Sequence, residues 1–167
     1  MNKCVFILGP ESSGSKLIAR ICSHVLTIQK YGDWKGNKCS DNGNCKVCHY
    51  SLPNGLNPPV FPDVSGLIAS NTERFDIYFV LTTRDMTISE LSRQRRFGKL
   101  PEQVAAESAA AREILANLLN SGQKCFIWSY ETFVFLGDVY LQQLYAFLGV
   151  DSDFAPLITD GNQKYIT

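Results

Sequence analysis

Short apolar runs alternate with amphipathic segments along most of the chain. Three runs are bounded by Gly, Pro or polar turn residues, which is typical of buried strands; they occupy residues 3–8, 75–81 and 124–129. Segments with apolar residues at helical spacing lie between and after these runs. One predicted helix begins at residue 15, a second ends near residue 96, a third extends from residue 101 to residue 122, and a fourth spans 139–148. Strands that alternate with helices pair in parallel through right-handed crossovers. The pattern therefore predicts an α/β fold, a three-layer sandwich around a parallel sheet.

The stretch from about residue 30 to residue 63 interrupts this alternation. It has no clear period and carries several Gly, Pro and Asn residues. A long loop inside a compact domain is usually functional, so we expect a lid that faces a substrate. The 167 residues otherwise have the size of a single domain, and we expect one domain over residues 1–167.

Charge and composition exclude several classes of protein. The 16 basic residues balance the 16 acidic residues and 45% of the chain is hydrophobic, so we expect neither disorder nor a nucleic-acid partner. No apolar run is long enough to cross a bilayer, and residues 1–8 lead into a Gly-Pro turn in the manner of a strand. With cysteines placed inside apolar segments, the sequence favours a cytoplasmic protein without membrane contact.

A glycine loop follows the first predicted strand. It reads Gly-Pro-Glu-Ser-Ser-Gly-Ser-Lys over residues 9–16 and leads into a helix, where backbone N–H groups and the helix dipole favour an anion. Its last two residues, Ser15 and Lys16, invert the Lys-Ser/Thr order of a Walker A loop. A kinase or ATPase that uses ATP and Mg²⁺ is therefore the alternative; it needs an acidic ligand at a strand end, and Asp76 stands at a strand start.

A second signal follows the second predicted strand. Arg84 stands just after it, and Ser92 comes eight residues later on the next predicted helix, a spacing that allows both to converge on one phosphate. Residues 128–134 (WSYETFV) and 147–150 (FLGV) form a third signal. In these three stretches the chain resembles the sulfotransferases, in which an Arg after the second strand, a Ser eight residues on, and a "YEDL…FLG" strand and helix recur. It resembles the compact sulfotransferase-like proteins of bacteria and phages.

The resemblance implies a P-loop fold and a PAPS-dependent enzyme. PAPS is 3′-phosphoadenosine 5′-phosphosulfate, and adenosine 3′,5′-bisphosphate (PAP) is the product after the sulfuryl group moves to a hydroxyl or amine of a small molecule or glycan. The residues that the resemblance assigns to the 5′-phosphosulfate are Ser12, Ser13, Gly14, Ser15, Lys16 and Leu17. It assigns Arg84 and Ser92 to the 3′-phosphate, with residues 162–165 in place of a Gly-rich C-terminal loop. Lys16 is the expected cation at the leaving oxygen, and no metal is required; a catalytically silent nucleotide-binding protein is a further alternative.

Candidate bases and ligands lie in two places. His49, in the expected lid, is the candidate general base, and Glu11 in the glycine loop is its rival. Cys39, Cys45, Cys48 and His49 are potential zinc ligands, but their spacing suits a tetrahedral site badly. We expect free thiols rather than structural zinc or a disulfide at Cys39.

A basic run at residues 93–96 continues the helix after Ser92. Such a run is usually a solvated face, and it would also attract a polyanionic donor.

Overall fold

The secondary structure follows the predicted alternation and adds elements to it. The computed structural model describes residues 2–28, 38–55 and 58–165. Its strands are β1 (Lys3–Pro10), β2 (Lys38–Asp41), β3 (Cys45–Leu52), β4 (Asp76–Thr83) and β5 (Lys124–Ser129). Its helices are α1 (Ser15–Val25), α2 (Val64–Ala69), α3 (Met86–Phe97), α4 (Pro101–Asn120), α5 (Tyr130–Leu136) and α6 (Asp138–Leu148), followed by a 3₁₀ turn at Gln163–Tyr165. Within these ranges no helix combines the length and the apolar character needed to cross a bilayer.

The strands form one mostly parallel sheet in the order β2-β3-β1-β4-β5. Strand β1 pairs in parallel with β3 and β4, β4 pairs in parallel with β5, and β2 is antiparallel to β3. The chain moves to one side of β1 to form β3 and then to the other side to form β4. The ends of β1, β3 and β4 therefore meet at one edge of the sheet, where open α/β sheets bind ligands.

Helices cover both faces of this sheet. Successive side chains of a strand point to opposite faces. Val5 and Ile7 accordingly pack into a cluster with α1 and α6, whereas Phe6 and Leu8 pack into a cluster with α4. The α/β class and its sandwich arrangement are thus confirmed, and both clusters hold the ends of β1 and β4 in place.

The expected lid at residues 30–63 is wrong over much of its length, because β2 and β3 lie within it. Asn42 accepts hydrogen bonds from the backbone N–H groups of Asn44 (3.1 Å) and Cys45 (2.8 Å), and Gly43 has φ 92°, so the polar residues form a tight turn between two strands. Strand β3 shows no alternation because a parallel strand inside a sheet is buried on both faces. Residues 29–37 and 56–57 of the expected lid lie outside the described residues.

The expectation of free thiols is wrong for two of the six cysteines. Cys39 of β2 stands opposite Cys48 of β3 in the antiparallel pair, and the two form a disulfide. Two of the four potential zinc ligands are thereby used. The pairing was invisible in the sequence because it depends on the register of strands that were not predicted.

This pairing predicts the number of thiols that react. Unfolded, unreduced protein should show four free thiols, and reduction should raise the number to six. In the native protein Cys4 and Cys22 should stay unreactive, because burial raises the pKa of Cys4 to about 11 and that of Cys22 to about 12. Thiol titration and peptide mapping measure both expectations. Cys39→Ser should free Cys48, whereas six reactive thiols before reduction would contradict the disulfide.

Candidate functional site

The glycine loop, residues 9–16, connects the centre of the sheet to α1 in a strained conformation. A Cβ atom on Gly9 would collide with Thr82 and Ser13, so the close approach of β1 to β4 requires glycine there. Ser12 has φ 68° and Gly14 has φ 87°, both in the left-handed region. A left-handed Ser is costly, and such strain is concentrated at ligand sites. Backbone in which left-handed residues alternate with right-handed ones turns successive N–H groups toward one side and forms an anion-binding concavity.

The start of α1 is open to a ligand. Gly14 precedes the helix and no side chain caps it, so its first N–H groups and the positive end of the helix dipole face the loop. The side chains of two predicted contact residues point elsewhere. The hydroxyl of Ser13 is hydrogen-bonded to that of Thr82 at 2.6 Å, and Leu17 packs against the apolar cluster under α1. Their backbone N–H groups are also used within the loop, since Ser13 donates to the carbonyl oxygen of Pro10 at 3.1 Å and Leu17 to that of Gly14 at 3.0 Å.

Arg84 and Ser92 meet at one residue of the glycine loop. Nη1 of Arg84 donates a hydrogen bond to the carbonyl oxygen of Ser12 at 3.0 Å, and Oγ of Ser92 donates to Oγ of Ser12 at 3.1 Å. Arg84 follows β4 directly, while Ser92 is buried in α3, two turns after the cap of that helix. The spacing in the sequence thus corresponds to proximity in the fold.

The C-terminal segment covers the same two residues. Nε of Arg84 donates to Oδ1 of Asn162 at 2.7 Å, and Nη2 donates to the carbonyl oxygen of Gly161 at 3.1 Å. The hydroxyl of Tyr165 donates to Oγ of Ser92 at 3.1 Å. Residues 161–165 therefore lie where the sequence predicted a substitute for a C-terminal binding loop.

Two residues of α5 hold this arrangement together, and both belong to the stretch 128–134 that forms the third signal in the sequence. The Tyr130 hydroxyl accepts a hydrogen bond from the N–H of Gly161 at 2.8 Å, and the Arg84 guanidinium lies 4.9 Å from the Tyr130 ring centre. Glu131 accepts from the N–H of Asp85 and from the side chain of Asn162, both at 3.0 Å. The "YE" pair thus links the end of β4 to the C-terminal segment.

A cavity of about 320 Å³ opens beside the glycine loop. Its wall residues include Glu11, Ser12, Gly14, Ser15, Lys16, His49, Ser51, Asn54, Arg96 and Phe97. Lys16 is the second residue of α1; it is exposed and lines the cavity with a positively charged side chain. Lys16 and the two candidate bases, Glu11 and His49, thus line the same cavity.

His49 is not in a lid. It lies in β3 next to β1, it is only 1% exposed, and its Nε2 is 2.8 Å from Oγ of Ser15. The parallel register of β1 and β3 brings this strand beside the glycine loop. His49 therefore contacts the loop from the sheet itself, and its role as a base stays a prediction.

Glu11 is held by a buried ion pair that sequence inspection missed. Nζ of Lys99 lies 2.6 Å from Glu11 and 2.8 Å from Glu107, and the Lys99 side chain is 2% exposed. Lys99 follows α3 and has no neighbouring motif in the sequence. Glu107 offered a signal, since it stands on the apolar face of α4, three residues after Val104 and four before Ala111.

The basic run at 93–96 is not a uniformly solvated face. Arg93 is 1% exposed, donates to Ser108 of α4, and lies 3.8 Å from Glu107. Burial lowers the pKa of the Arg93 guanidinium, and the carboxylates of Glu107 and Glu90 act in the opposite direction. Arg95 and Arg96 remain exposed. The run therefore divides into one buried member that joins α3 to α4 and others that face solvent.

Asp76 lies far from the glycine loop. It stands at the start of β4, opposite Lys3 at the start of β1, whereas the glycine loop follows the end of β1. Its carboxylate accepts from Tyr78 and Lys124, and the hydrogen bond from Lys124 holds the pKa of Asp76 below its usual value. This residue is therefore not placed to bind a metal ion at the loop.

Comparison of the chain with protein-family models and with curated protein sequences gave no match in either case. The basis for a function is therefore the arrangement of residues around Ser12.

Proposed function

We propose that this protein is a sulfotransferase, which binds PAPS beside the glycine loop and transfers its sulfuryl group to a hydroxyl or amine acceptor of a small molecule or glycan. The observation that carries the proposal is the meeting of Arg84 and Ser92 at Ser12. PAP and PAPS carry a phosphate at each end of the ribose, so a loop with an adjacent Arg-Ser pair suits them.

Arg84 keeps donors for such a ligand. A guanidinium has five N–H donors, and the three bonds to Ser12, Gly161 and Asn162 leave two of them. Its orientation is fixed by these bonds and by the Tyr130 ring. Because the group is already ordered, binding a phosphate costs little side-chain entropy.

The proposed reaction exchanges one bond to sulfur for another. The lone pair of the acceptor forms a new bond to sulfur, and the bond from sulfur to the bridging oxygen breaks. The electron pair of that bond stays on the 5′-phosphate of PAP, and the acceptor loses one proton. Negative charge that develops on the bridging oxygen is offset by Lys16 and by the N–H groups at the start of α1.

His49 is the base in this proposal. It lines the cavity and is hydrogen-bonded to Ser15, the first residue of α1. The rival carboxylate of Glu11 is paired with Lys99, and protonation of Glu11 would break this buried pair. We therefore assign the proton of the acceptor to His49 rather than to Glu11.

Thermal unfolding with different nucleotides tests the proposal. We expect PAP to raise the melting temperature more than ADP or ATP, with no requirement for Mg²⁺, because a ligand that binds only the native state stabilises it. Adenosine 5′-monophosphate (AMP) is the matched control without a 3′-phosphate. A larger shift with ATP and Mg²⁺ would favour the kinase or ATPase. Binding of PAP without sulfuryl transfer to a panel of acceptors would favour a silent nucleotide-binding protein.

A further inference from the structure

Arg96 reaches the glycine loop from the last turn of α3. Its Nη1 donates a hydrogen bond to Oγ of Ser12 at 3.3 Å, and its guanidinium lies 5.1 Å from the centre of the Phe97 ring. Both residues line the cavity beside the loop. The contact is not required by the fold, since the side chain is exposed and α3 is already anchored by Arg93.

The charges around the cavity leave Arg96 available to an anion. Among the cations nearest the loop, Lys99 is paired with Glu11 and Glu107, and Arg93 faces Glu107. Within the described part of the chain, Lys16 and Arg96 take part in no ion pair. With Glu11 neutralised by Lys99, the cavity wall carries two uncompensated positive charges, one on α1 and one on α3.

Ser12 contacts both Arg96 and the pair formed by Arg84 and Ser92. Its carbonyl oxygen accepts from Arg84, while its hydroxyl oxygen accepts from both Ser92 and Arg96. Arg96 uses one of its five donors on Ser12 and keeps four. A group seated in the loop beside Ser12 is therefore within reach of Arg96 through a small rotation of an exposed side chain.

We propose that Arg96 is the second cation of the phosphosulfate subsite and that it donates hydrogen bonds to the non-bridging oxygens of the 5′-phosphosulfate as the sulfuryl group moves from PAPS to the acceptor. Lys16 then faces the bridging oxygen, and the two cations divide the charge of the transition state between them. This inference rests on the proposed function. Arg96 belongs to the basic run at residues 93–96, and the sequence alone predicts only that this run attracts the donor. The inference gives this residue a specific role.

Calorimetric titration of the full chain with three simple probes tests this role. The probes are pyrophosphate, AMP and adenosine 3′-phosphate. Arg96→Ala should weaken the binding of pyrophosphate and AMP by about five- to tenfold, since one charge-assisted contact is lost, and should leave adenosine 3′-phosphate unchanged. Arg96→Lys should retain most of the affinity. Arg95→Ala is the matched control; it removes an exposed charge of the same helix that does not line the cavity, and it should bind all three probes as the parent does.

The outcomes separate this inference from the proposed function. The role of Arg96 would be overturned if Arg96→Ala bound pyrophosphate and AMP as tightly as the parent does. An equal loss of affinity in Arg95→Ala would also overturn it, and so would a parent that binds neither pyrophosphate nor AMP. A parent that binds pyrophosphate but does not prefer PAP to AMP would instead count against the sulfotransferase. In that case a selective loss in Arg96→Ala would still assign Arg96 to an anion subsite at the loop.

Discussion

Replacing Arg84 with Ala is expected to weaken the binding of PAP by about ten- to a hundredfold and to leave the binding of AMP almost unchanged. A charge-assisted hydrogen bond contributes roughly 1.5–3 kcal/mol, and AMP has no 3′-phosphate to make one. Ser92→Ala should show the same selectivity with a smaller loss, because a hydroxyl is neutral. Calorimetric titration of each variant with both nucleotides measures the effect.

The control for Arg84 is Asn162→Ala. Arg84 also holds the C-terminal segment through Gly161 and Asn162, so its removal could act by releasing that segment. Asn162→Ala removes one of these bonds and leaves the guanidinium in place. If Arg84→Ala lost PAP and AMP equally, the 3′-phosphate subsite would be wrong, whereas a PAP loss in Asn162→Ala as large as in Arg84→Ala would assign the effect to the C-terminal segment.

Replacing Lys99 with Met is expected to lower the free energy of unfolding by about 3–5 kcal/mol, the typical cost of removing one partner from a buried ion pair. The ammonium group of Lys99 lies between Glu11 and Glu107, and its loss leaves the nearly buried Glu11 carboxylate without its ion-pair partner, while Glu107 keeps Arg93 at 3.8 Å. Urea unfolding at neutral pH measures this change. The effect is a large part of the stability of a small domain.

Lys124→Met is the matched control, since Lys124 is paired with Asp76 at an exposed position and surface pairs contribute little. The double variant Glu11→Gln, Lys99→Met should recover part of the loss, because it removes the charge of Glu11 that has lost its partner. Equal stability of Lys99→Met and Lys124→Met would show that the network around Lys99 does not stabilise the fold.

Sequence patterns sufficed where the physical cause is local. The apolar run of β1, the glycines of the loop and the stripe of α1 lie within residues 3–25, and each is specified by its neighbours along the chain. The proximity of Arg84 and Ser92 also follows from local geometry, because a strand end and two helical turns determine their separation. Their phosphate-binding role stays a prediction.

Hydrophobic patterning failed where burial on two faces hides the period. Strand β3 has no alternation, so residues 45–52 were predicted as part of a loop, and His49 was placed in a lid. The disulfide between Cys39 and Cys48 was missed for the same reason, since it depends on the register of β2 against β3.

The sequence around the loop specified a strand, a glycine turn and a helix, because these depend on residues within a few positions of each other. The charges around that turn depend on contacts between distant parts of the chain. Lys99 reaches Glu11 across 88 positions and Arg96 reaches Ser12 across 84, and nothing near either residue indicates its partner. Such pairs form only when α4 packs against the sheet and α3 packs against α4, which brings these side chains to the end of β1. Local patterns therefore predict an anion site at this turn, whereas tertiary packing determines which cations surround the turn.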